Sequence, residues 1–513
     1  MKILDCTLRD GGYYTQWDFP SNVSETYLKS ISKLPVDYLE IGYRSTPMKT
    51  YHGEFYYCPP YVIEKYSQLT DKKLAIILNE KDVKIEHLDE LLIPIQSYVK
   101  MIRIAIDPKN FTRSLKLAEY IRKMGFEVCL NVMYMSSWEN QKDFLAQIKN
   151  AEDLADYLYM VDSYGGVYPE DIKRIIDVVK SKTDIKLGFH GHNNLELALI
   201  NTLTAIDYGV DIVDSTITGM GRGAGNLKTE LLLTTLNRKK GLEVEFNELS
   251  KVIDAFTPLH EEHRWGTSLP YMVSGAYSLP QKDVMEWVTL RYYSLNSIIR
   301  ALENKAKGET DNEFLRKLDF SREKKYTRAL ILGGGQSVAE HGNALRKFLK
   351  INPEIAVIHA SSKNATSIQG IQNEQFFCLV GNEGYRLEGV FNGKNKIEGK
   401  CILPPYPRKM GTYIPHLLRD NSFELENIDF TDRLRDTHTA LALQTAKMLG
   451  VSEVYFAGYD GYSGKFVGEK EQNLFIENEF LFTQAKDIVF SKMISLTSTK
   501  YKTFEEQSVY SFL

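Results

Sequence analysis

Through the first half of the chain, short runs rich in β-branched and aromatic residues alternate with stretches whose apolar positions recur at helical spacing. The runs "KILDCTL", "DYLEIGY", "KLAIILN", "VKMIRIAI", "EVCLNVMYM", "YLYMVDS", "IKLGFHG" and "DIVDSTIT" read as strands. Between them, "LDELLIPIQSYV", "RSLKLAEYIRKMG", "PEDIKRIIDVVKS" and "LELALINTLTAIDYG" read as helices with one buried face. Gly125 and Gly209 stand where helices end. Strands alternating with helices imply parallel strands joined by crossovers. Eight such units in about 240 residues predict a TIM (β/α)8 barrel, with an open doubly wound sheet as the rival.

Beyond the barrel pattern the periodicity is helical, in "YMVSGAYSLPQKDVMEWV" and "YYSLNSIIRALENK". These read as helices packed on the barrel. "KAKGETDNEFLRKLDFSREKKY" is polar and charged, as linkers are. A second α/β pattern follows: "RALILGGGQSVAEHGNALRKFL", then "EIAVIHA", "QFFCLVG" and "TALALQTAKMLGVSEVYFAGYDGY". The expected domains are a barrel over 1–245, a helical extension and linker over 246–320, and a smaller Rossmann-like α/β domain over 321–513.

A length of 513 residues agrees with more than one core. A net charge of -4 asks for neither nucleic acid nor an anionic membrane as partner. No apolar run is long enough to span a bilayer, and "MKILDCTLRD" reads as a strand rather than a targeting peptide. The five cysteines are scattered and never form a Cys-x-x-Cys pair, which points to a reducing compartment and a cytoplasmic setting.

Barrel enzymes carry their chemistry where strands end. Arg9 and Asp10 stand at the end of the first run, Glu40 in the second, Asp162 at the end of the sixth, and His190 and His192 at the end of the seventh. Alternate strand residues face one way, so the two imidazoles can meet at the barrel mouth. Neutral imidazoles are good divalent-metal ligands, and Asp10 would complete a set of three. The alternative is a pair of ordinary core histidines. Arg9 beside a metal would be a fixed cation for an enolate or carboxylate; otherwise it is an ion-pair residue. Glu40 and Asp162 would orient Arg9, waters or ligands; otherwise they are ordinary strand-end acids. After the eighth run, "GMGRGAGN" is a turn that could receive an anion, with Arg222 and Asn226 as the side chains of interest.

Together, "LDCTLRDGG", "LEIGYRS", "MVDSYGG", "GFHGHNNLELAL" and "IVDSTITGMGRGAGN" resemble the DRE-TIM metallolyases. The stretches "HGHNNLELAL", which carries Asn194, and "GRGAGN" are most similar to those of the 4-hydroxy-2-oxovalerate aldolases. The resemblance covers roughly residues 1–260. It implies Mn2+ or Mg2+ held by Asp10, His190 and His192. It also implies a small 2-oxo acid such as pyruvate, bound through the metal and Arg9, and an aldehyde formed or consumed with the enolate. A homo-oligomer is a further expectation. One departure stands out. The aldolases carry a basic histidine just after the Asp-Gly, where this chain has Gly11, Gly12, Tyr13 and Tyr14. Tyr13 with a water, or His52 in the loop after the second run, are the candidates to replace it.

In the second half, Gly333, Gly334, Gly335 and Ser337 could form a phosphate loop or a plain turn. That half loosely resembles Rossmann-type domains of bacterial glycan-assembly proteins, which implies a role in surface-glycan synthesis. Rival functions are a Claisen-type acyl-CoA condensing enzyme, a 2-His-1-carboxylate iron oxygenase and a non-catalytic assembly protein on a degenerate barrel.

Overall fold

All eight barrel runs form strands in the computed structural model, which describes residues 1–289, 293–319, 325–392, 397–462 and 469–513. They are β1 (Lys2–Asp5), β2 (Tyr38–Tyr43), β3 (Lys73–Asn79), β4 (Val99–Ile106), β5 (Glu127–Val132), β6 (Tyr157–Asp162), β7 (Lys186–Gly191) and β8 (Ile212–Ser215). Each pairs in parallel with the next, and β8 returns to β1, which closes the barrel. The open-sheet alternative is thereby excluded for this half.

Helices wrap the strands as their spacing requires. Pro169–Lys180 buries Ile172, Ile175, Ile176 and Val179, one face of a 3.6-residue period. Gly125 and Gly209 adopt φ of 92° and 79°, the left-handed geometry that stops a helix. Inside the barrel, period-two alternation stacks Leu4, Tyr38, Met101, Cys129, Tyr157 and Tyr159 into an apolar plug. Gly188 makes room for it, because a Cβ there would lie 2.5 Å from the Tyr159 ring.

The first strand is shorter than its pattern. β1 stops at Asp5, and Thr7–Asp10 is a helical turn. The Asp5 carboxylate accepts both the Thr7 N–H (2.9 Å) and the Thr7 hydroxyl (2.5 Å), which bends the chain out of the strand. Arg9 and Asp10 therefore arrive at the mouth on a turn rather than on a strand end.

The chain divides into two compact units, Met1–Met285 and Glu286–Leu513. The long helix Phe246–His263 belongs to the first. The stretch read as one helix over 271–288 is two, Leu269–Ala276 and Gln281–Thr289, parted at Ser278, whose φ is 51°. Leu295–Lys307 belongs to the second unit, where Arg300 donates to the carbonyls of Gly381 and Met410. Residues 320–324 of the expected linker lie outside the described residues.

The second unit holds a parallel sheet of β9 (Arg328–Leu332), β10 (Ala356–His359), β11 (Gln375–Cys378), β12 (Lys400–Leu403), β13 (Ser422–Glu424), β14 (Glu453–Ala457), β15 (Lys492–Ser495) and β16 (Glu505–Glu506). Their order is β13-β12-β11-β10-β9-β14-β15-β16. Ile331, Ile358 and Phe456 face His438–Met448 and Glu469–Ile488 on one side, while Leu330, Val357 and Tyr455 face Gly342–Ile351 on the other. A sheet buried on both faces is the doubly wound α/β arrangement expected of this half.

Candidate metal centre and active site

At the barrel mouth Asp10, His190 and His192 each offer a donor atom, and these atoms lie within 4.8 Å of one another. The rings are aimed by what their other nitrogens do. His190 Nδ1 donates to Asp214 Oδ2 (2.9 Å), and His192 Nδ1 donates to the Asp162 carbonyl (2.7 Å). Both Nε2 lone pairs are thus left for a ligand. Burial, and then His190 beside it, push His192 down to about 4, so it is neutral at ordinary pH. Burial works against the Asp10 charge, but the Arg9 guanidinium and the two imidazoles outweigh it and hold its carboxyl below the usual range. Two imidazole nitrogens and one carboxylate are a donor set that suits a divalent cation. Cys6, His190 and Asp214 form the other such group among the described residues. Asp214 is already spent on Arg103, and neither it nor Cys6 lines the cavity at the mouth.

Below these donors runs a chain of buried ion pairs. Arg9 pairs with Asp10 and donates its Nε to Glu40 Oε2 (2.6 Å). Arg103 on β4 bridges Glu40 Oε1 (3.1 Å) and Asp214 Oδ2 (2.5 Å), and its Nε donates to Asn131 Oδ1 (3.1 Å). Its guanidinium lies 4.3 Å from the centroid of the Tyr159 ring. The sequence reading missed Arg103, Asn131 and Asp214. The available signal was an arginine at an inward position of the otherwise apolar "VKMIRIAI". Through these groups Asp10, Arg9, Glu40, Arg103, Asp214 and His190 form one continuous network, so each charge fixes the next.

The glycines near the mouth are there for packing. A Cβ on Gly12 would lie 2.2 Å from Trp17, whose indole N–H donates to the Arg9 carbonyl (2.8 Å). A Cβ on Gly11 would lie 2.6 Å from the Met220 sulfur. The glycine turn after β8 wraps the Asn226 side chain, which occupies the space beside Gly221 and donates to Asp10 Oδ2 (2.5 Å). Asn226 thus steadies a proposed ligand. Asn194 donates to Gln281 Oε1 and to the Tyr271 carbonyl, each at 3.0 Å.

The cavity of about 130 Å3 is lined by Arg9, Asp10, Tyr13, Tyr43, His190, His192, Arg222 and Gln281 among others. The Tyr13 hydroxyl lies 3.3 Å from that of Tyr43, and the Arg222 guanidinium lies 5.4 Å from the centroid of the Tyr13 ring. Tyr14 turns away and donates to the Gly223 carbonyl (2.7 Å). His52 is not part of the cavity wall. Its ring stacks on Tyr56 at 4.2 Å and meets Thr50 at 3.1 Å. Among the described residues, the cavity wall contains no histidine besides His190 and His192. Glu40 and Asp162 stand behind it. Burial, opposed by the N–H groups of Gly166, Val167 and Gly165, pushes the Asp162 carboxyl up to about 7.

In the second unit the N–H groups of Gly333 and Gly335 donate to the carbonyls of Ala457 and Gly458, and Ser337 gives its N–H and hydroxyl to Asp460. Most of the expected phosphate-loop donors are therefore engaged by the neighbouring turn.

Comparison with known proteins bears on the barrel. Residues 95–255 match the HMGL-like family. Over 263 residues the chain is 32% identical to the 4-hydroxy-2-oxovalerate aldolase of Pelotomaculum thermopropionicum, which covers 50% of this chain and 76% of that protein. It is 29% identical to the oxaloacetate decarboxylase of Mycobacterium tuberculosis, over 49% of this chain and 74% of that one. Among solved structures, an N-terminal domain from Bacteroides vulgatus, provisionally assigned as an aldolase, is 55% identical. It matches over 59% of this chain and 100% of its own length, with a TM-score of 0.56. Motifs, closed barrel and relatives agree, and through its barrel the chain belongs to the HMGL-like family.

Proposed function

We propose that the barrel unit is a divalent-metal-dependent lyase that forms or cleaves a carbon–carbon bond beside the keto group of a 2-oxo acid, as an aldolase. The observation that carries this reading is the convergence of Asp10, His190 and His192 with a pre-fixed Arg9 on one cavity. Mn2+ or Mg2+ held there would act as a Lewis acid toward the keto and carboxylate oxygens of such an acid. Arg9 is clamped between Asp10 and Glu40 and needs no reorganisation to stabilise negative charge that develops in the cavity. Arg222, on the same wall, is placed to receive a carboxylate. Tyr13 lies in the stretch where the resemblance to the aldolases implies a histidine, and a phenol is a proton donor in neutral water. Tyr13 would protonate the aldehyde oxygen as the new bond forms, with Tyr43 orienting its hydroxyl, and the proton removed to make the enolate would pass to a water beside Tyr13.

The same feature favours a second reading. Decarboxylation of a 3-carboxy-2-oxo acid releases CO2 and leaves the enolate, which then needs only a proton donor. A cavity that offers Tyr13 and, among the described residues, no further histidine suits that half of the chemistry as well. The two are separated by supplying the metal-loaded protein with oxaloacetate, or with pyruvate and a panel of short aldehydes. A new carbon–carbon bond by NMR supports the aldolase. CO2 release above the spontaneous rate without condensation supports the decarboxylase. Neither product would reject both.

A further inference from the structure

Doubly wound sheets bind ligands beyond the carboxyl ends of their strands, where the strand order reverses. In the second unit that point lies between β9 and β14, from which the order runs out in opposite directions. The turns leaving these strands, at 333–336 and 458–461, line one cavity of about 630 Å3. A second cavity, of about 530 Å3, shares a wall with it: Glu383, Arg386, His438, Thr439, Tyr462 and Asn478. Each is large enough for a small organic ligand.

The polar atoms here are arranged differently from those of a packed core. Glu383 is only 4% exposed and is held from several sides. Ser362 gives it an N–H and a hydroxyl, both at 2.6 Å, and Arg386 gives it an N–H at 2.8 Å. His438 Nε2 lies 3.6 Å from the same carboxylate and makes no hydrogen bond among the described residues. The acid is spent on its neighbours, and it anchors Arg386 while leaving that half-exposed guanidinium donors to spare. Lys363, on the same cavity, is exposed and has no ion pair among the described residues. Gly334 and Gln336 line the cavity with N–H groups that have no partner among the described residues. A Cβ on Gly334 would meet nothing closer than 3.3 Å, so this glycine leaves the backbone open to an approaching group. Asp460 is the carboxylate beside the turn, and it accepts the Ser337 N–H (3.1 Å) and hydroxyl. Further along, Asn478 donates to the Tyr501 hydroxyl (3.2 Å) and accepts from Thr439 (2.7 Å), a floor with both aromatic surface and hydrogen-bonding edges.

We propose that this cleft binds a nucleoside diphosphate. Its phosphates would lie between the Gly334 turn and the cations Lys363 and Arg386, and its nucleoside would occupy one of the two joined lobes. Free amides with a guanidinium and an ammonium are the donors that phosphate oxygens select, and the aromatic, amide-lined floor suits a flat heterocycle.

The test is calorimetric titration of the full chain with ADP, GDP, CDP and UDP, and separately with inorganic pyrophosphate. At least one nucleotide is expected to bind about tenfold more tightly than pyrophosphate. Arg386→Gln and Lys363→Ala should each weaken that binding about tenfold, and added salt should weaken it further. Lys363 is exposed, so its variant reads binding without disturbing the fold. No binding by any of these nucleotides at millimolar concentration would overturn the proposal. So would binding that both variants leave within about twofold, or pyrophosphate binding as tightly as every nucleotide.

Discussion

The barrel mouth and the cleft of the second unit both lie where parallel strands end, yet they handle charge in opposite ways. At the mouth Arg9 and Arg103 are buried, and each is clamped between two carboxylates. In the cleft Arg386 is half exposed with a single carboxylate partner, and Lys363 has no ion pair among the described residues. A reaction that develops charge at one atom gains from cations that cannot move. A site that gathers a mobile polyanion gains from cations with donors to spare. The difference teaches that position in a fold marks where chemistry can occur, while the packing behind each charge says what kind.

Substitutions can break that contrast. The largest effect is expected for Asp10→Ala, which removes a proposed metal ligand. It should lower turnover by a factor on the order of 1,000 or more, about 4 kcal/mol of barrel chemistry, and reduce bound metal in elemental analysis. Wild-type metal content in this variant would remove Asp10 from the ligand set. Next comes Arg103→Met, which leaves the buried Glu40 with Arg9 as its one cation and the buried Asp214 with His190, among the described residues. Chemical denaturation should show a loss of about 3–5 kcal/mol, although Arg103 is buried and does not itself line the cavity. Tyr13→Phe removes only a hydroxyl. It should slow turnover about 100-fold while leaving metal content and melting temperature unchanged. His52→Ala should change turnover less than about twofold, because its ring is stacked outside the cavity. The smallest effect is expected for Arg386→Gln: its guanidinium is half exposed and its partner Glu383 keeps both bonds from Ser362, so the loss in stability should be about 0–1 kcal/mol. A loss there equal to that of Arg103→Met would erase the distinction between the two sites.

Much of the barrel was legible because its signals are local. Continuous apolar runs with helices between them can be read along the chain, and the eight strands emerged with their order and direction. His190 and His192 were legible for a related reason, since alternation along a strand and position at its end aim them at the mouth, whereas Asp10 reaches the mouth on the helical turn after β1. Where β1 ends was not, because Asp5 captures Thr7 and ends the strand three residues before the apolar pattern stops. The network behind the site was less legible still. Arg103, Asp214 and Glu40 come from separate strands and acquire meaning only when the barrel closes. In the second unit, β13 and β16 are three and two residues long, too short for any period to register, and β12 and β15 were not read either. His52 depends on a contact with Trp17, an approach between segments that no local pattern foretells.

The central claim is that the barrel mouth makes a 2-oxo acid enolate through Asp10, His190, His192 and Arg9. Proton NMR of pyruvate in deuterated water tests it without knowledge of the second substrate. Exchange of the methyl protons that requires Mn2+ or Mg2+, stops with a chelator and is lost in Asp10→Ala is the expected result. A folded, metal-supplied protein that leaves the methyl protons unexchanged would contradict it.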